Sequence, residues 1–236
     1  YEPGRINVRT VTGTDGKPKL QVRLDLGLLQ MEMTGRPDGF QPEGFESLLA
    51  MHRDRLQRYG REPASAGFVL SAGDCRALRE EAVQFYHRYV GLFALGDFAG
   101  VVRDTSRNLE LFDLCRDFGE SDLDRTVLEQ FRPQVLMMRV RAEAELAMSR
   151  TEPKAALGAL DRGLAELRSI FDDAGRGDDF VRSNEAQLLR GMRDALVPKL
   201  PSSQRAELQE RLRAALDAEN YELAAILRDE LRLLGD

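Results

Sequence analysis

His52, His87, Cys75 and Cys115 are the side chains of this sequence best suited to metal ligation or nucleophilic chemistry. Zinc accepts imidazole and thiolate together, and structural zinc sites gather them in closely spaced pairs. No two of the four stand close in sequence here, which points to ordinary helix-surface or partly buried positions. A di-iron helical bundle would set a glutamate three residues before each histidine. Gln84 and Leu49 occupy those positions. A cysteine nucleophile needs a base within hydrogen-bond reach, and His87 lies twelve residues beyond Cys75 on one predicted helix, about 18 Å away by helical rise.

Other chemistries lack their spacing as well. No phosphate loop of the type Gly-x-x-x-x-Gly-Lys-Ser/Thr and no Gly-x-Gly-x-x-Gly turn occurs. The acidic run at Asp172, Asp173, Asp178 and Asp179 interposes Arg176 and lacks the ordered alternation of a calcium loop, so it reads as a solvated connection. Arg132, Arg139 and Arg141 are offset by Glu143 and Glu145, the pattern of ion pairs on a helix surface. The expectation is a non-enzymatic protein with no catalytic residue, cofactor or metal site.

Composition narrows the partners. A chain of 236 residues with 42% hydrophobic and 31% charged residues has enough apolar mass for one large domain or two small ones. The formal charge of −6 spreads 34 basic among 40 acidic residues, which disfavours nucleic acid as the main partner. Two cysteines forty positions apart fit a reducing compartment, and no stretch approaches the roughly 20 apolar residues of a membrane span. A cytoplasmic setting is the expectation.

The elements that would carry these residues are mostly helices. At the N-terminus, Leu20, Val22, Leu24, Leu26 and Leu28 alternate with polar residues, the pattern of a half-buried strand. It is joined to an Ile6, Val8 and Val11 strand through a turn containing Asp15-Gly16. The apolar phase shifts to Leu29, Met31 and Met33 after Gly27, which predicts a bulge in a β-hairpin. Two strands alone are marginal in water, so this hairpin must pack on helices or on strands of another chain. Helical spacing follows over 43–59, and 60–73 reads as a linker.

From Asp74 onward two helical pairs superpose at an offset of about fifty-five residues, with Gly96-Asp97 and Thr151-Glu152-Pro153 as their turns. Leu95-Gly96-Asp97-Phe98 followed by Asn108-Leu109-Glu110-Leu111 resembles part of a tetratricopeptide repeat, which implies antiparallel helix stacking. The expected organisation is a β-hairpin segment at 1–40, a helical-hairpin body at 41–200 and a C-terminal helical hairpin at 201–236, in a mainly α protein.

That last hairpin carries the most specific signal. Leu208, Leu212, Ala215 and Leu216 form one apolar face, Asn220 is a cap, and Leu223, Leu227, Leu231 and Leu234 form a second face. The run Ala215-Leu216-Asp217-Ala218-Glu219-Asn220-Tyr221-Glu222-Leu223-Ala224-Ala225-Ile226-Leu227-Arg228-Asp229-Glu230-Leu231 resembles the UVR motif of excinuclease subunits B and C. The motif also occurs in the activator of the bacterial protein-arginine kinase and in some protease ATPases. Leu212 stands where a methionine is common. The run from Leu24 to Glu32, with Gly35-Arg36-Pro37-Asp38-Gly39 after it, is similar to bacterial proteins ending in this motif, a likeness that supplies no activity.

The resemblance implies a docking element, with Leu208, Leu212, Leu216, Tyr221, Ala224, Leu227, Arg228 and Leu231 as its contact residues and a protein partner or a second copy as its target. Elementary physics agrees, because a helical pair this small buries only one face of each helix. Capping of the chain's own helices is the alternative use of that stripe. Excision repair, through DNA or through excinuclease subunits, is the second functional expectation.

Overall fold

The structure, a computed structural model, describes residues 7–59, 67–196, 204–217, 223 and 226–228, with the backbone alone at 204–210. The chain is mainly helical with a small antiparallel sheet at the N-terminus. It divides into two compact units, Tyr1–Asp194 and Ala195–Asp236.

In the first unit, β1 (Asn7–Thr12), β2 (Pro18–Leu24) and β3 (Gly27–Glu32) pair in the order β1-β2-β3. The Asp15-Gly16 turn forms as its sequence dictates, with Gly16 at φ 75° and the Gly13 N–H donating to Lys17 O at 2.8 Å. The predicted bulge after Gly27 is a chain reversal instead. Leu24 pairs with Gly27 across a two-residue loop, and the register continues to Lys19 opposite Glu32. Reversal changes the apolar phase just as a bulge would, and Asp25-Leu26 lacks the Asn-Gly or Asp-Gly step that announces a tight hairpin.

One face of this sheet lies on helix α2 (Ala72–Leu95). Leu20, Val22 and Met31 pack with Tyr89, Leu92, Val101 and Ala142 in one core cluster. A glycine permits the approach: a Cβ on Gly91 would stand 2.9 Å from Leu20 Cδ2. The sheet therefore finds its missing partner in the helices of its own chain, resolving the marginality of isolated strands.

Helix α1 (Leu48–Tyr59) follows a short 3-10 turn at Pro42–Gly44. Ser71 opens α2 with a reciprocal capping box to Asp74, and Gly96 closes it in the left-handed region at φ 78°. Asp97 then caps α3 (Phe98–Phe118), accepting from Gly100 N at 3.0 Å. Leu70 is bridged to Gly119, with its N–H donating to Phe118 O at 2.8 Å. The end of the expected linker is thus fastened beside the end of α3.

A short α4 (Asp122–Thr126), absent from the sequence reading, precedes α5 (Arg132–Ser149) and α6 (Pro153–Asp173). Helices α2, α3, α5 and α6 pack in succession. At the α5–α6 contact a Cβ on Gly163 would collide with both methyls of Val140. A 3-10 turn at Gly177–Arg182 leads to α7 (Asn184–Leu196). Among the described residues no helix is long and apolar enough to cross a membrane.

Candidate functional site

The C-terminal unit contains α8 (Gln204–Asp217), and Leu223, Ile226, Leu227 and Arg228 are helical beyond it. Ala and Leu at helical spacing put Leu212, Ala215 and Leu216 along one side of α8, with Leu212 and Leu216 one turn apart. The side is only half used. Ala215 and Leu227 are buried together, and Leu212 packs partly against them. Leu216 and Ile226 are 50% and 55% exposed, and Leu223 also reaches the surface.

Among the described residues, two of the expected contact residues, Leu212 and Leu227, pack inward with Ala215, whereas Leu216 and Arg228 lie at the surface. The side chain of Leu208 lies outside the described residues, as do Tyr221, Ala224 and Leu231. Ile226 joins Leu216 as a surface apolar residue. In the sequence it stood beside Leu227 within one apolar pair, and only the fold separates the inward member from the outward one.

What such an arrangement can do chemically is bury more apolar surface. A leucine or isoleucine moved from half-exposed to covered contributes on the order of 1 kcal/mol through desolvation alone. Arg228 is exposed beside them.

The first unit holds a second cluster that sequence reasoning missed. Glu81, Arg88 and Asp104 are fully buried charged residues between α2 and α3. Arg88 donates to both carboxylate oxygens of Asp104, at 2.7 and 2.8 Å, and through Nη1 to the carbonyls of Glu32 and Gly35. Glu81 accepts from the N–H groups of Leu48 and Leu49 at 2.8 and 3.2 Å, occupying the open N-terminus of α1, and also takes Arg107. Arg107 lies over the Phe85 ring at 3.6 Å, and Arg88 lies 4.7 Å from the same ring. Burial pulls the Arg107 guanidinium below its ordinary range against the opposing pull of Glu81. A cavity of about 270 Å³ adjoins this cluster. Its ion pairs fasten the strand-to-helix connection and α1 onto the α2–α3 pair. No spacing rule announces such pairs, because the partners lie 16 to 56 positions apart.

The candidates for metal and nucleophilic chemistry are placed as follows. Cys75 and Cys115 lie in one core cluster between α2 and α3 as buried free thiols, and Cys75 Sγ lies 4.0 Å from Leu70 O. Burial raises both, Cys115 to about 12, so both stay protonated. His52 is buried on α1 with Nε2 3.8 Å from Asp74 Oδ1. Desolvation holds its pKa below the ordinary histidine range, against the attraction of Asp74. His87 sits edge-to-face with Tyr86. Among the described residues, no three or more His, Cys, Asp or Glu side chains group to hold a metal ion. In the acidic run, Asp172 and Asp179 pair with Arg168 and Arg176 respectively. Arg132 and Arg139 are likewise engaged, with Glu129 and Asp113 and with Glu143 and Glu166, and Arg141 lies over the Phe93 ring.

No curated protein and no solved structure matches the chain. Residues 202–236 match the family model described as UvrB/uvrC motif. The segment that begins with α8 thus carries a UVR motif, which is associated with protein–protein interaction and with DNA repair.

Proposed function

We propose that the chain is a non-enzymatic adaptor whose C-terminal UVR hairpin docks a protein partner through the outer flank of its apolar stripe. The observation that carries this reading is the division of two adjacent apolar pairs, one on α8 and one on the helical residues beyond it, into inward Ala215 and Leu227 and outward Leu216 and Ile226. A partner that covers Leu216 and Ile226 would take their exposed apolar surface out of water. Proteins exchange that surface area for a partner when the partner is present.

The test is affinity capture from native extract, with the intact chain beside a chain ending at Leu200 and captured proteins identified by mass spectrometry. Partners retained by the intact chain alone support docking through the hairpin. Identical sets from both baits overturn it.

A second reading follows from the motif's association with DNA repair. Here the chain serves excision repair, touching DNA directly or reaching it through an excinuclease subunit. Direct phosphate contact makes affinity fall steeply with added salt, whereas apolar docking is less sensitive. No binding to a DNA duplex at low salt would remove direct contact.

A further inference from the structure

The cavity of about 270 Å³ beside the buried ion pairs is lined by guanidiniums that the neighbouring carboxylates do not balance. Asp104 serves both Arg88 and Arg103, and Glu81 serves both Arg36 and Arg107. Four cations thus share two fully buried anions, with Asp38 at the surface taking part of Arg36. Arg88, Arg103 and Arg107 line the cavity, and Arg53 reaches it from α1. The remaining carboxylates of the lining, Glu46 and Glu110, are exposed, where water and salt screen their repulsion.

Two of these arginines are open to a ligand, the side chains of Arg53 and Arg103 being 55% and 44% exposed. Arg53 gives Nη1 to Glu110, and Arg103 gives Nε to Asp104 and Nη2 to the Met33 carbonyl. A guanidinium has five N–H donors, so each keeps some for a further acceptor. Ser106 adds a hydroxyl to the same lining. Arg88 and Arg107, 1% and 14% exposed, lie deeper and act through their charge, which is screened less there than at the surface. Donors arriving from α1 and α3 over a cationic floor call for an oxyanion. A carboxylate offers two oxygens in one plane and a single charge. A phosphate ester offers three acceptor oxygens and nearly two negative charges at neutral pH, which matches three separate donors and the surplus of guanidinium over carboxylate. The volume lies just below the roughly 300 to 1,000 Å³ of drug-sized sites, so the molecule carrying that group is small.

We propose that this cavity binds a small phosphate monoester, whose phosphate group accepts from Arg53, Arg103 and Ser106 above the buried charges of Arg88 and Arg107. Methyl phosphate is the probe, and acetate is its comparison with one charge and two oxygens. Each is titrated into the full chain at constant ionic strength by isothermal calorimetry. Methyl phosphate saturates a single site and binds at least about tenfold more tightly than acetate. Arg53→Gln and Arg103→Gln each weaken it about tenfold or more, the scale of one charge-assisted hydrogen bond. Arg168→Gln, which removes the same charge from an exposed position on α6, changes it by less than about twofold. Should Arg103→Gln fail to fold, Arg53→Gln, at a more exposed side chain, decides. No saturable binding of methyl phosphate, equal affinity for acetate, or equal weakening by Arg168→Gln and Arg53→Gln would each overturn the proposal.

Discussion

The α2–α3 core and the C-terminal hairpin handle surface in opposite ways. In the first unit, three fully buried charges are satisfied from several elements at once, and the apolar face of a three-stranded sheet is covered by helices of the same chain. Among the described residues of the second, Ala215 and Leu227 are buried while Leu216, Leu223 and Ile226 lie at the surface. The contrast teaches where each unit obtains its stability. The body draws on interlocked internal partners, whereas a helical pair as short as the hairpin buries only one face of each helix. Substitutions should therefore separate into those that unfold the body and those that silence the hairpin.

The largest effect is expected in the buried ion-pair cluster. Asp104→Asn leaves Arg88 buried beside a neutral side chain and should destabilise the body by about 3 to 5 kcal/mol, measured by urea unfolding. A loss below about 1 kcal/mol would mean that the cluster is more hydrated than its burial implies. Gly163→Ala comes next. The added methyl meets the buried Val140, and the cost of about 1 to 3 kcal/mol outweighs the helix propensity of alanine, about 1 kcal/mol. Thermal melting that shows no loss would place slack at the α5–α6 contact.

Leu216→Glu and Ile226→Glu should change unfolding by less than about 0.5 kcal/mol each, because both side chains already meet water. The same changes should remove partner capture. Loss of helicity at 204–217 in either variant would assign these residues to packing, against the contrast drawn here.

Acidification gives a subtler distinction. The folded pKa of His52 lies below its unfolded value, so the unfolded chain binds the proton first as pH falls. The stability it contributes is complete above about pH 6.5 and is lost as pH falls through the folded pKa. A melting series from pH 7.5 to 5 should show a steeper decline in the unaltered chain than in His52→Gln. Parallel declines would remove His52 from the pH response.

The helical body was largely readable because its boundaries are local. Gly96-Asp97 and Pro153 act within a turn of the chain and stand at helix ends, whereas Ser71, placed by the sequence reading in a linker, caps α2. The β2–β3 reversal escaped notice because Asp25-Leu26 carries no residue that a tight turn demands. Long-range pairing was less readable still. With 34 basic and 40 acidic residues, sequence alone gives no reason to join Arg88 to Asp104 or Glu81 to the start of α1. The UVR segment shows both sides of this limit. Its motif is a contiguous run, yet the division of labour between Leu227 and Ile226, adjacent in sequence, depends on the partner helix.

The most direct measurement is quantitative capture from native extract using three baits: the intact chain, the Leu216→Glu, Ile226→Glu double variant, and the chain ending at Leu200. The account predicts that proteins enriched by the intact chain are lost equally from the other two, while the double variant keeps its helical content and melting temperature. Retention of the same proteins by a folded double variant and by the truncated chain would contradict docking through the hairpin.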